Sequence, residues 1–181
     1  QHEAGVAPAW PIRYADVAPW YDHVERFIGV SGAAEGLAHL PDGQFLPPMA
    51  LNCVEEDFKA QIGSKFGRPL TIGRTAHLTA PLDHSPNRGI CRNRNLCMRG
   101  CPYGAYFSSN SSTLPAAEKT GNMTLRADTL VHELIYDESQ ARATGVRARD
   151  PNTGEVLEFH ARVIFLCAST LDSTFLLLNS T

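Results

Sequence analysis

The chain has 181 residues, enough for one domain with a real core or for two small lobes. Apolar residues make up 43% of it, and no run reaches the about 18 apolar residues that cross a bilayer, so a soluble or peripheral chain is expected, periplasmic or cytoplasmic. A net charge of −3 with both signs scattered argues against a dedicated nucleic-acid protein.

The sequence opens on Gln1 with no signal segment after it, as expected of a chain that has lost a leader or is an excerpt of a longer protein. Val17, Tyr21, Val24 and Ile28 recur at helical spacing between Asp16, a candidate N-cap, and Gly29, a stop; Pro19 fits a first turn. Trp10, Trp20 and Tyr21 are expected to pack this helix. Residues 31–50 carry Pro41-Asp-Gly43 and Pro47-Pro48 and read as a surface connection. A second helix is predicted from Val54 to Phe66, with Phe58, Ile62 and Phe66 on one face and Gly67 as its stop.

Residues 79–106 have no periodicity, and a loop of that length inside a compact domain is usually functional. Three of the five cysteines, Cys91, Cys97 and Cys101, fall within it at C-x5-C-x3-C spacing, among Arg88, Arg92, Arg94 and Arg99. That spacing is neither the paired C-x2-C of a zinc ribbon nor a full ferredoxin set. The arginines suit an anionic ligand or internal ion pairs. Cys53 and Cys167 read as core residues. No histidine sits beside a credible nucleophile or acid, so no catalytic residue is assigned.

A short helix is predicted over 114–119. The period then changes to two from Met123 to Tyr136, giving a strand bent at His132-Glu133. Segments 143–150 and 155–161 flank Pro151-Asn-Thr-Gly154, a hairpin loop. Val163 to Ala168 is continuously apolar and is expected to be a strand buried on both faces, followed by a helix starting at Asp172 or Ser173. That helix ends in Phe175-Leu-Leu-Leu178, a greasy face expected to be covered by an element beyond Thr181. The N-x-S/T triplets at Asn110, Asn122 and Asn179 are short enough to arise by chance.

Trp10-Pro-Ile12, Tyr14-Ala-Asp16, Tyr21-Asp22, Glu25 and Gly29-Val-Ser-Gly32 run in one order with Pro47-Pro-Met49, Cys97-Met-Arg-Gly-Cys101-Pro-Tyr-Gly-Ala105, Gly121-Asn122, Leu125, Val131, Gly145-Val146, Ala161 and Leu176-Leu177. This order resembles the glucose-methanol-choline (GMC) flavin oxidoreductases, in the branch of bacterial sugar and gluconate dehydrogenases, over nearly the whole chain. The resemblance implies an α+β fragment of such an enzyme. Residues 1–106 would be a substrate-lobe segment with the cysteine loop, and 107–181 the second half of an FAD-binding lobe made of strand, hairpin, buried strand and helix. It implies FAD as cofactor and oxidation of an alcohol group of a sugar, polyol or sugar acid. Electrons would pass to oxygen, a quinone or a cytochrome partner.

The family's G-x-G-x-x-G is not matched by Gly29, Gly32 and Gly36, and its catalytic histidine region has no counterpart, so the chain alone is expected to be inactive. The contacts implied toward FAD are the backbone of Val131 and the turn Ala168-Ser169-Thr170. Relatives read A-A-G-A at that turn, so Ser169 replaces a glycine and is strained if the position needs a positive φ. For Cys91, Cys97 and Cys101 three readings stand: structural cysteines, an iron–sulfur cluster as in some dehydrogenases of this branch, or zinc with His84 or His77. The alternative to an enzyme fragment is a non-catalytic, metal-stabilised or interaction module derived from one.

Overall fold

The computed structural model describes residues 5 and 9–180, so Gln1 and Thr181, with the last residue of the Asn179 triplet, lie outside the described residues. The chain forms two compact units, Gln1–Met123 and Thr124–Thr181, and combines helices with a three-stranded antiparallel sheet, the α+β character expected of it.

The first unit is built on α1 (Tyr14–Ile28), α2 (Cys53–Phe66) and α3 (Thr113–Lys119), joined by irregular segments. α1 starts earlier than its sequence suggests. Its N-cap is Arg13, and Asp16 is the third helical residue, accepting a bond from the Arg13 N–H at 2.7 Å. Pro19 therefore lies in the second turn, where its missing N–H leaves the Ala15 carbonyl without its helical donor. The inward face also differs, since Asp22, Glu25 and Ile28 are half-buried while Tyr21 and Val24 are exposed. Trp10 and Trp20 stand in solvent, and Tyr21 stacks on Tyr14 with ring centroids 6.4 Å apart.

Gly29 ends α1 at φ 80, and a Cβ there would run into the side chains of Leu78 and Leu82. Only glycine meets both demands. The chain then enters a small knot of backbone pairing. Ser31 exchanges bonds with Thr75 (2.8 and 3.0 Å), and Leu46 N–H donates to Val30 at 2.8 Å. The core of this unit is Leu78 and Ala105, fully buried, with the polar Ser31, Arg88 and Ser112. α2 ends at Phe66 as predicted and starts one residue earlier, at Cys53, with Asn52 accepting from the N–H groups of Val54 and Glu55 at 3.0 Å and Gly67 closing it. Phe58 and Phe66 on its apolar face are exposed, and so is Cys53 in its first turn.

In the second unit, β1 (Leu130–Asp137), β2 (Arg142–Arg149) and β3 (Val156–His160) form a meander in the order β1-β2-β3. The register of β1 on β2 shifts between Val131 and Glu133, a bulge at the position where the sequence predicts a bend. Asp150 Oδ1 accepts from the N–H groups of Asn152 and Thr153, and Gly154 N–H donates to the Asp150 carbonyl at 2.8 Å, which fixes the β2–β3 turn. α4 (Ser169–Leu178) packs on β1, where Asn179 Nδ2 donates to the His132 carbonyl and Leu134 N–H donates to Ser180 Oγ, both at 2.7 Å. Leu176 and Ala148 are the buried apolar residues here.

Residues 162–168 are not a strand. Val163 and Phe165 are exposed, Cys167 is exposed rather than core, and the segment pairs with no strand among the described residues. A strand exists only where a neighbour supplies its ladder of hydrogen bonds, which apolar composition cannot guarantee.

Candidate functional site

Two places bear the residues singled out by the sequence, one in each unit. In the first, the cysteine loop folds back on the core. Leu78 N–H donates to the Ala105 carbonyl (3.0 Å), Cys91 N–H to the Leu78 carbonyl (2.8 Å) and Gly89 N–H to the Tyr103 carbonyl (2.7 Å). Arg88 locks this arrangement. It is 4% exposed and donates through Nε to Gly104 O (2.9 Å), through one Nη to Ile28 O (2.7 Å) and Ser112 Oγ (3.3 Å), and through the other to Ala105 O (3.3 Å). Burial pushes its pKa down, opposed by the neighbouring Cys101 thiolate form. The loop's positive charge is thus partly internal, spent on carbonyl groups rather than on a carboxylate.

Cys91, Cys97 and Cys101 are free thiols, each half-buried. Each is tied to a different piece of backbone: Cys91 to Leu78, Cys97 at the head of a 3-10 turn over Cys97–Arg99, and Cys101 at a turn closed by Gly104 N–H (3.1 Å). Asn93 and Asn95, between the first two, take left-handed backbone at φ 50 and 52. The structure does not bring the three together: among the described residues no group of three or more His, Cys, Asp or Glu side chains is placed to hold a metal. His84 and His77 do not complete one. His84 stacks on Phe27 (centroids 5.0 Å apart) with Nε2 2.9 Å from the Phe27 carbonyl, and His77 lies 5.0 Å from the Tyr106 ring with its Nε2 buried and unbonded. Burial lowers the pKa of His77. The Cys101 thiol is pushed up by burial, but the backbone N–H groups of Tyr106, Tyr103, Ala105 and Gly104 together bring it below the ordinary thiol value.

A cavity of about 510 Å³, not foreseen from the sequence, lies between the end of α1 and the segments at 44–46 and 81–84, lined among others by His23, Glu25, Phe45, Asp83 and His84. Its walls come from three distant stretches, so only the fold assembles it.

In the second unit, Ser169 is the first residue of α4 and has φ 66. The position does demand left-handed backbone, which serine adopts at a cost of about 1 kcal/mol. The N-cap, Ala168, offers no side-chain acceptor, so the N–H groups of the first turn have no side-chain cap. Ser169 and Thr170 are exposed and Ala168 half-buried. Val131 is half-exposed on β1, opposite Ala148, beside the bulge that Asn179 grips. It therefore neighbours the C-terminal end of α4. Ser169 lies at the other end, roughly 15 Å along the axis at 1.5 Å per residue.

The GMC oxidoreductase family model matches residues 75–181, a stretch that includes both places. Across almost the full chain, it is similar to the 6'''-hydroxyparomomycin C oxidase of Streptomyces lividus (28% identity, covering 99% of this chain and 32% of that protein) and to the paromamine 6'-oxidase of Streptomyces fradiae (30%, 97% and 31%). It also resembles the 2-methyl-1,2-propanediol dehydrogenase of Mycolicibacterium austroafricanum (28%, 94% and 30%). The chain spans about a third of the length of these relatives. With more than half of its residues inside the family match, and with the ordered motifs that run from Trp10 to Leu177, the chain belongs to the GMC oxidoreductase family.

Proposed function

We propose that this chain is an internal part of an FAD-dependent oxidoreductase that oxidises an alcohol group of a sugar, polyol or sugar acid. The observation that carries the reading is the positive φ of Ser169 at the uncapped start of α4, at the position where the family places a glycine turn. An uncapped helix start presents N–H donors and the positive end of the helix dipole, which suits the phosphates of a dinucleotide. Ala168, Ser169 and Thr170 would hold one part of FAD there and the Val131 backbone another. Bound FAD would supply the hydride acceptor for the alcohol carbon. The relatives' names, a 6'''-hydroxyparomomycin C oxidase, a paromamine 6'-oxidase and a 2-methyl-1,2-propanediol dehydrogenase, support an alcohol substrate.

We assign residues 1–106 to the substrate lobe and 107–181 to the FAD lobe of that enzyme. The 181-residue chain by itself would not turn over, because its sequence matches neither the G-x-G-x-x-G of the family nor its catalytic histidine region; the contact of His160 Nε2 with the Glu158 carboxylate (3.6 Å) is an exposed pair on β3. Oxygen, a quinone or a protein would take the electrons. The test is an absorption spectrum of the complete gene product, purified and then mixed anaerobically with candidate sugar alcohols. A flavin band that bleaches on mixing is the expected result; a colourless protein that takes up no added FAD overturns the proposal.

A further inference from the structure

We propose that Arg88 and Lys119 form the floor and rim of a small oxyanion-binding site in the first unit, separate from the flavin contacts. A cavity of about 230 Å³ lies between residues 84–88 and the start and end of the 110–119 segment. It is lined by Arg88 and Lys119, by His84, and by the amide and hydroxyl groups of Asn87, Asn110 and Ser111, with no carboxylate in its wall. Pockets for drug-sized ligands run to about 300–1,000 Å³, so this one suits a compact ion.

The charge balance makes the case. No Asp or Glu occurs from His84 to Ala117, whereas the stretch holds four arginines in a chain whose net charge is −3. Arg88 is nine-tenths buried or more, yet its hydrogen-bond partners are three carbonyls and a hydroxyl, all neutral. Buried guanidinium groups are ordinarily neutralised by an anion, and a guanidinium has five N–H donors. The four bonds of Arg88 leave one Nη hydrogen unassigned among the described residues. Lys119 is exposed and free of ion pairs among the described residues, so its ammonium can close over the same space. A carboxylate or phosphate seated there would receive charge-assisted hydrogen bonds from both. Two sources share this chemistry: a free oxyanion such as phosphate or a sugar acid, and a carboxylate side chain from a flanking part of a longer polypeptide.

The test is a titration of the 181-residue chain, and of the complete gene product, with inorganic phosphate at ionic strength held constant with sodium chloride. Backbone amide resonances of Asn87, Gly104 and Ser111 are followed. Saturable shifts in both proteins, weakened about tenfold in Lys119→Ala, establish the free-ion form. Lys119 makes no bond that the fold needs, so this variant keeps its structure. Saturation in the chain but not in the complete product assigns the site to a carboxylate of the flanking polypeptide. Shifts that fail to saturate in the 181-residue chain, or that Lys119→Ala leaves unchanged, overturn the proposal. The outcome is independent of the flavin reading, since a colourless protein can still bind phosphate and a flavoprotein can fail to.

Discussion

Arg88 is the residue whose removal should hurt the first unit most. It joins the end of α1, the cysteine loop and Ser112 through four hydrogen bonds in a buried place. Arg88→Met would orphan those acceptors and should cost about 3 kcal/mol in urea denaturation. Arg88→Lys should recover little, because a point ammonium cannot reach carbonyls set around a planar fork. Ser169→Gly should act in the opposite direction, adding about 1 kcal/mol to the second unit by relieving a left-handed serine. Asp42 supplies the pH dependence. Backbone N–H groups of Gly36 and Glu35, and then Arg74, hold its carboxyl below the ordinary aspartate value. A depressed acid stabilises the fold above its unfolded pKa and loses that contribution as pH falls through the folded value. Asp42→Asn should therefore flatten the acid limb of a stability-versus-pH curve measured by thermal melts. The Ser169 strain was legible in the sequence because the missing glycine was visible against the family turn. The role of Arg88 was not, since composition cannot tell an arginine that faces carbonyls in a core from three others that face solvent.

At the scale of elements, what the sequence discloses is what local chemistry decides. Gly29 and Gly67 stop their helices where expected, and Asp150 with Gly154 sets the hairpin loop. The bend at His132-Glu133 shows itself as a bulge. What escapes is relational. The apolar run at 163–168 reads as a buried strand but lacks a ladder partner among the described residues, and on α1 Asp22, Glu25 and Ile28 are half-buried while Tyr21 and Val24 of the apolar periodicity are exposed. The spacing of the cysteine loop left structural and metal-binding readings open, and how its backbone bonds tie each cysteine to a separate anchor is visible only in the fold. Close approach inside the sheet gives a testable case. A Cβ at Gly145 would lie 2.5 Å from the Phe159 carbonyl oxygen and 2.8 Å from His160 Nδ1, both on the facing strand. Gly145→Ala should push β2 from β3 and destabilise the second unit by about 1–3 kcal/mol, with faster amide hydrogen exchange in β3 than in α4.

At the scale of the molecule, the greasy surface is hard to reconcile with a chain that functions alone. Phe165 (85% exposed), Leu171 (82%) and Leu178 (74%) in the second unit, and Val54 (73%) and Phe66 (71%) in the first, leave few apolar residues for two thin cores. Single exposed hydrophobic residues are ordinary, but several large ones along the same helices and loops mark surfaces built to be covered. The relatives are about three times as long as the matched stretch, which is ample polypeptide to cover them. The isolated 181-residue chain should therefore bind the dye ANS and self-associate with rising concentration in sedimentation velocity, and the complete gene product should do neither at matched concentration. A monodisperse chain that leaves the dye dark would mean that these faces are tolerated in water, and the burial expected from the longer relatives would have to be abandoned.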